Sequence, residues 1–96
     1  MADVTFADIK VFAEKLDRLF DEHNLFATVY PMRGIQESYI AVEIEWGDWK
    51  HDHLRCKYMT EMFFDEIAIY DIVIESEVTA DNGSDCYSAI HRIYVH

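Results

Sequence analysis

The chain has 96 residues, enough for one domain and too few for two independent cores. Hydrophobic residues make up 51% and aromatics 15%, a folding composition and not a disordered one. Eight Lys and Arg against 19 Asp and Glu leave a net charge of −11, which argues against direct nucleic-acid binding and against an anionic membrane surface, since both call for clustered cations.

The opening MADVTFADIK has neither the basic stretch nor the apolar stretch of a secretory leader. No apolar run approaches the ~18 residues that cross a bilayer. These features predict a cytoplasmic protein in which Cys56 and Cys86 are reduced thiols, with a Cys56–Cys86 disulfide as the minor alternative.

Six elements follow in chain order. Residues 6–23 place Phe6, Ile9, Phe12, Ala13, Leu16, Leu19 and Phe20 at three- and four-residue steps, the mark of an amphipathic helix. Thr5 is its expected N-cap, with Asp8 closing a box-like start, and Asn24 its expected left-handed terminator. Residues 25–31 read as a short strand. Pro31-Met32-Arg33-Gly34 reads as a turn. Residues 36–46 alternate, with Ile40, Val42, Ile44 and Trp46 on one side and Tyr39, Ala41, Glu43 and Glu45 on the other.

After Gly47-Asp48, residues 50–64 fit strand or helix. Leu54, Cys56 and Tyr58 alternate, whereas Leu54, Tyr58 and Met62, joined by Met59 and Phe63, form a helical stripe. Length and Met/Leu content favour the helix, with Asp48 or Asp52 as N-cap. Residues 67–78 are β-rich, and their apolar phase shifts near Tyr70-Asp71, which predicts a bulge. Asp81-Asn82-Gly83 signals a turn, and residues 85–95 a last strand.

The order αββαββ predicts an α+β domain spanning residues 1–96. Its four-stranded antiparallel sheet would carry two helices on one face, as in a ferredoxin-like plait whose first strand has moved to the chain's end. Limited core size makes a homodimer a reasonable expectation.

With Ile40, Val42, Ile44, Ile72 and Ile74 turned to the helices, the other sheet face carries Tyr39, Glu43, Glu45, Asp71, Val73, Glu75 and Glu77. One reading is a solvated face that keeps a small domain soluble, partly relieved by Arg92. The sharper reading is a recognition surface for a basic partner, docking where that partner would meet phosphates.

Trp46-Gly-Asp-Trp-Lys-His-Asp-His53 is the most unusual segment, and Asn82-Gly-Ser-Asp-Cys-Tyr-Ser-Ala-Ile-His91 the second polar concentration. Both runs resemble small acidic proteins encoded in bacterial and phage genomes, a resemblance that implies no particular activity. His51, His53, Asp85 and His91 are ligand types for a divalent transition metal, with Asp48 or Asp52 behind them, and a metal held there could activate water for hydrolysis. Against this, His51-x-His53 matches no zinc spacing, and two residues two apart on a helix do not share a face. The bland alternative makes Asp48 and Asp52 helix caps, His51 and His53 first-turn polar residues, and His91 a satisfied, half-buried side chain. Nucleophilic catalysis finds no support: Ser88 and His91 fall on opposite sides of a strand, and the glycines are scattered.

The sequence reading is therefore a non-catalytic acidic module that binds a protein with a basic, nucleic-acid-binding surface. It would act as phage or mobile-element inhibitors do, standing in for nucleic acid through Tyr39, Glu43, Glu45, Asp71, Glu75 and Glu77. A small metal-assisted hydrolase is the alternative.

Overall fold

The computed structural model describes residues 4–46, 52–67, 69–80 and 87–96. Helix α1 spans Phe6–Glu22, strands β1 and β2 span Thr28–Arg33 and Ser38–Trp46, helix α2 spans Asp52–Ile67, and strands β3 and β4 span Ile72–Ala80 and Tyr87–Val95.

Helix α1 is closed at both ends by its own residues. The Thr5 hydroxyl accepts from the Asp8 N–H at 3.2 Å while the Asp8 carboxylate accepts from the Thr5 N–H at 2.9 Å, a complete capping box. At the other end Asn24 takes the left-handed conformation, φ 57°. The Leu25 N–H then donates to the Phe20 carbonyl at 2.9 Å and the Asn24 N–H to the Asp21 carbonyl at 3.1 Å, the Schellman pattern. Leu25 and Phe20 are both buried, so the cap is also an apolar contact. One stripe of the helix, Ile9, Phe12, Ala13, Leu16 and Phe20, enters the core.

The four strands form one antiparallel sheet in the order β1-β2-β4-β3. This is the order a ferredoxin-like plait takes when its first strand is moved to the end of the chain. Pro31 does not open the hairpin turn, as its neighbours suggested, but lies inside β1 opposite Ile40. An edge strand tolerates it because one side of the strand has no ladder to supply. The turn is made by residues 34–37, where the Gly34 N–H donates to the Glu37 carbonyl at 3.1 Å. A Cβ on residue 34 would collide with that same carbonyl, so glycine is required there.

The alternation in β2 and β4 sends Ile40, Val42, Ile44, Ala89, Ile93 and Val95 into the core with the α1 stripe. Ile72 and Ile74 are partly buried against it. The expected bulge near Tyr70-Asp71 is instead the junction of two elements. The phase shift there is α2 ending at Ile67 and β3 beginning at Ile72, with Ile69 exposed between them.

Helix α2 corrects a second expectation. Leu54, Tyr58 and Met62 face outward, at 52%, 61% and 45% exposure. The stripe that enters the core is Cys56, Thr60 and Phe64, and of the expected stripe Met59 and Phe63 are partly buried against it. Thr60 is tolerated because its hydroxyl donates to the Cys56 carbonyl one turn earlier, at 2.8 Å. Phe64 meets the Phe12 ring edge to face at a centroid distance of 5.3 Å, which joins the two helices. No helix among the described residues is long and apolar enough to cross a membrane.

Candidate interaction face

Both helices cover one side of the sheet, and among the described residues no element covers the other. Strand alternation decides what it carries, and the pairing register arranges those residues in rows. One row runs Thr28, Glu43, Ile90, Glu77 from β1 to β3. The next runs Tyr30, Ala41, Arg92, Glu75. The third brings Met32 and Tyr39 beside Tyr94 and Val73. At the end of the sheet Asp71 pairs with His96 through two backbone hydrogen bonds of 3.0 and 2.8 Å.

The face is therefore banded and not uniformly acidic. Its middle is aromatic and apolar. The Tyr39 and Tyr94 rings lie 5.3 Å apart in a tilted pair, and Val73 and Met32 extend the band with half-exposed side chains. Carboxylates flank it. Glu43, Glu75 and Glu77 lie exposed on one side, and Glu37 and Asp71 are exposed at the far end. A shallow groove runs across the band between Glu37, Tyr39, Val73, Glu75, Arg92 and Tyr94.

Two contacts organise the charge. Arg92 reaches Glu77 with an Nη2–Oε2 distance of 3.3 Å, and Glu75 stands opposite it across the strand pair. This exposed pair adds little stability, but it fixes one cation in the middle of the acids. The Tyr30 hydroxyl donates to the Glu43 carboxylate. That hydrogen bond, with partial burial and the carboxylate's charge behind it, pushes the Tyr30 hydroxyl up to about 12. Tyr30 thus stays a neutral donor that holds Glu43 in place. Burial also pushes Tyr94 above the ordinary tyrosine value, chiefly through desolvation.

Of the residues singled out from the sequence, Tyr39, Glu43, Glu75 and Glu77 share this face within three neighbouring rows. Asp71 lies at its far end. Glu45 continues β2 opposite Ser88, one row beyond Glu43. Tyr30, Met32 and Tyr94 belong to the face and were not singled out. Period-two alternation signals all three: Tyr30 and Met32 are two apart in β1, and Tyr94 is two from Arg92 in β4.

Of the candidate metal ligands, His53 and His91 lie on the covered side. His91 is buried, and both its ring nitrogens are in use. Nε2 is 3.0 Å from the His53 backbone carbonyl, which can only accept, so Nε2 carries the proton. Nδ1 then accepts from the Ser76 hydroxyl at 2.7 Å. Desolvation, the dominant effect, pushes the His91 pKa below its ordinary value and keeps the ring neutral. The His53 ring stacks on it, with centroids 5.5 Å apart and planes at 19°. This arrangement ties the first turn of α2 to β4. A metal at His91 would have to displace Ser76 or the His53 carbonyl. His51, Asp85, Asp48 and Cys86 lie outside the described residues. Among the described residues no group of three His, Cys, Asp or Glu converges as metal ligands would.

Comparison with family models, with curated proteins and with solved structures finds no match to this chain.

Proposed function

We propose that the protein is a non-catalytic interaction module whose open sheet face recognises a cationic protein surface, of the kind that otherwise binds nucleic acid. The observation that carries this reading is the band of Tyr39 and Tyr94 between flanking carboxylates, with Arg92 fixed among them. Arginine and lysine are met by this combination in two ways at once. The ring faces attract a cation through their quadrupole, and the carboxylates pair with its N–H groups. An uncovered antiparallel sheet also presents these side chains from a rigid backbone, so little ordering is needed on binding.

The whole-molecule charge acts in the same sense. A net charge of −11 on 96 residues attracts a basic partner over a Debye length and raises the encounter rate. Phosphate-binding surfaces are built to receive such a field, which supports a partner that handles nucleic acid. A cytoplasmic setting follows from this proposal.

The test is capture from a native lysate by the tagged protein and by the double variant Glu43→Lys/Glu75→Lys, each at low and high salt. The wild type should retain a nucleic-acid-handling protein at low salt and release it at high salt. The double variant should capture none of it while keeping the wild-type circular dichroism. Equal capture by both proteins would refute the reading.

A further inference from the structure

The two edges of the sheet are not alike. The order β1-β2-β4-β3 leaves β1 and β3 outermost, and among the described residues no strand pairs with the outer side of either. An edge strand offers unpaired N–H and C=O groups to a second chain unless something blocks them. Register decides which residues make that offer. Asp71 and His96 exchange both backbone hydrogen bonds, and in an antiparallel ladder such pairs alternate. Counted on through the unbroken β3–β4 register, Val73, Glu75, Glu77 and Thr79 bond to β4. Ile72, Ile74, Ser76 and Val78 therefore turn their backbone groups outward. The same count across β4 and β2 puts Val29, Pro31 and Arg33 at the outward positions of β1. Pro31 has no N–H to give there, so the β1 edge is blocked. Strand β3 runs for 9 residues without Pro or Gly.

The side chains of β3 select what lies along it. Every residue from Glu75 to Thr79 is exposed. Glu75 and Glu77 belong to the open face, between Val73 and Thr79. In an added antiparallel strand, the residues opposite Glu75 and Glu77 fall at non-hydrogen-bonded sites, where side chains come closest. Lys or Arg at those alternate positions meets a carboxylate each time. Glu77 also holds Arg92, but its side chain stays 67% exposed. A second copy of β3 is the wrong occupant. Antiparallel registers centred on residue 75, 76 or 77 set a glutamate of one copy against a glutamate of the other, which is destabilising.

We propose that the basic partner lays an extended segment along the outer edge of β3, as an added antiparallel strand with Lys or Arg at alternate positions. This inference rests on the open-face reading and specifies which part of the partner makes the contact. The backbone N–H and C=O groups of Ile72, Ile74, Ser76 and Val78 hold the segment, and Glu75 and Glu77 select its charge. Because both glutamates also belong to the open face, the added strand continues that face sideways.

The experiment is amide hydrogen exchange of the full chain, read by NMR, with and without a short peptide of alternating valine and lysine at low salt. In the free protein the amides of Ile74, Ser76 and Val78 should exchange fast, and those of Glu75 and Glu77 slowly. The peptide should slow the three outward amides about tenfold and change the two inward ones less. Val78→Pro removes one outward N–H and leaves both glutamates. It should keep the wild-type circular dichroism and bind the peptide about tenfold more weakly. A peptide that shifts Tyr39 and Glu43 reversibly with salt, yet leaves the three outward amides fast, would overturn the edge strand and keep the open-face reading. Equal affinity of a folded Val78→Pro would overturn the edge strand as well. A peptide that shifts no residue at low salt would refute the open-face reading, and the edge strand with it.

Discussion

Helices α1 and α2 lie in the same layer with nearly equal lengths of 17 and 16 residues, but α1 is apolar along one side and α2 along two. The stripe of α1 is consumed by the core, and its ends are closed by a capping box and a Schellman turn. Every strong feature of α1 is therefore explained by the fold. Helix α2 divides its apolar residues. Cys56, Thr60 and Phe64, with Met59, Phe63 and Ile67 beside them, hold it to the domain, while Leu54, Tyr58 and Met62 remain outside. The difference teaches that the same helical spacing can be consumed by the core in one helix and left at the surface in the other.

The sharpest way to break this comparison is to remove the inner anchor of α2. Phe64→Ala deletes a fully buried ring that contacts Phe12 and Phe63, and should cost about 3–4 kcal/mol in urea unfolding. A loss below about 1 kcal/mol would mean that α2 is not held by this stripe.

The attachment of the first turn of α2 through His91 gives a smaller, pH-dependent effect. His91 has its folded pKa below the unfolded value of 6.5. Above about pH 6.5 the ring is neutral in both states and no proton is exchanged on unfolding. As pH falls below that value the unfolded chain binds a proton that the folded chain refuses, so stability declines until the folded pKa is passed. Melting curves between about pH 7 and pH 5.5 should show a falling Tm in the wild type and a flatter profile in His91→Gln. Parallel profiles would contradict the assignment. The smallest effect belongs to the outer stripe. Tyr58→Ser should change unfolding stability of the isolated domain by no more than about 0.5 kcal/mol, since the ring touches solvent. Comparison with Phe64→Ala on the same helix then measures how unequal its two sides are.

The same contrast explains what could be read from residues alone. Helix α1 has one apolar period and recognisable end signals, so Thr5, Asp8 and Asn24 identify its limits directly. The strand alternation in β2 and β4 likewise separates core residues from Glu43 and Arg92 without a structure, and the element order leads to the sheet topology. Helix α2 defeats the same logic because apolar side chains lie on more than one side of it, with Phe64 buried and Leu54, Tyr58 and Met62 exposed. Periodicity gives the spacing of a stripe, not which of two stripes faces inward. The junction at residues 67–72 failed for a related reason. An apolar phase shift has the same appearance whether a strand bulges or a helix hands over to a strand. At the open face, the acids were visible from alternation, while the tyrosine band needed the cross-strand register that sets Tyr39 against Tyr94.

Recognition by the open face is tested most directly by amide chemical-shift mapping of the full chain with a short hexa-arginine peptide at low salt. The account predicts shifts concentrated at Tyr30, Tyr39, Glu43, Glu75, Arg92 and Tyr94, reversed by added salt, with the outer stripe of α2 undisturbed. Shifts scattered equally over the acids of α1, or centred on Leu54, Tyr58 and Met62, would contradict it.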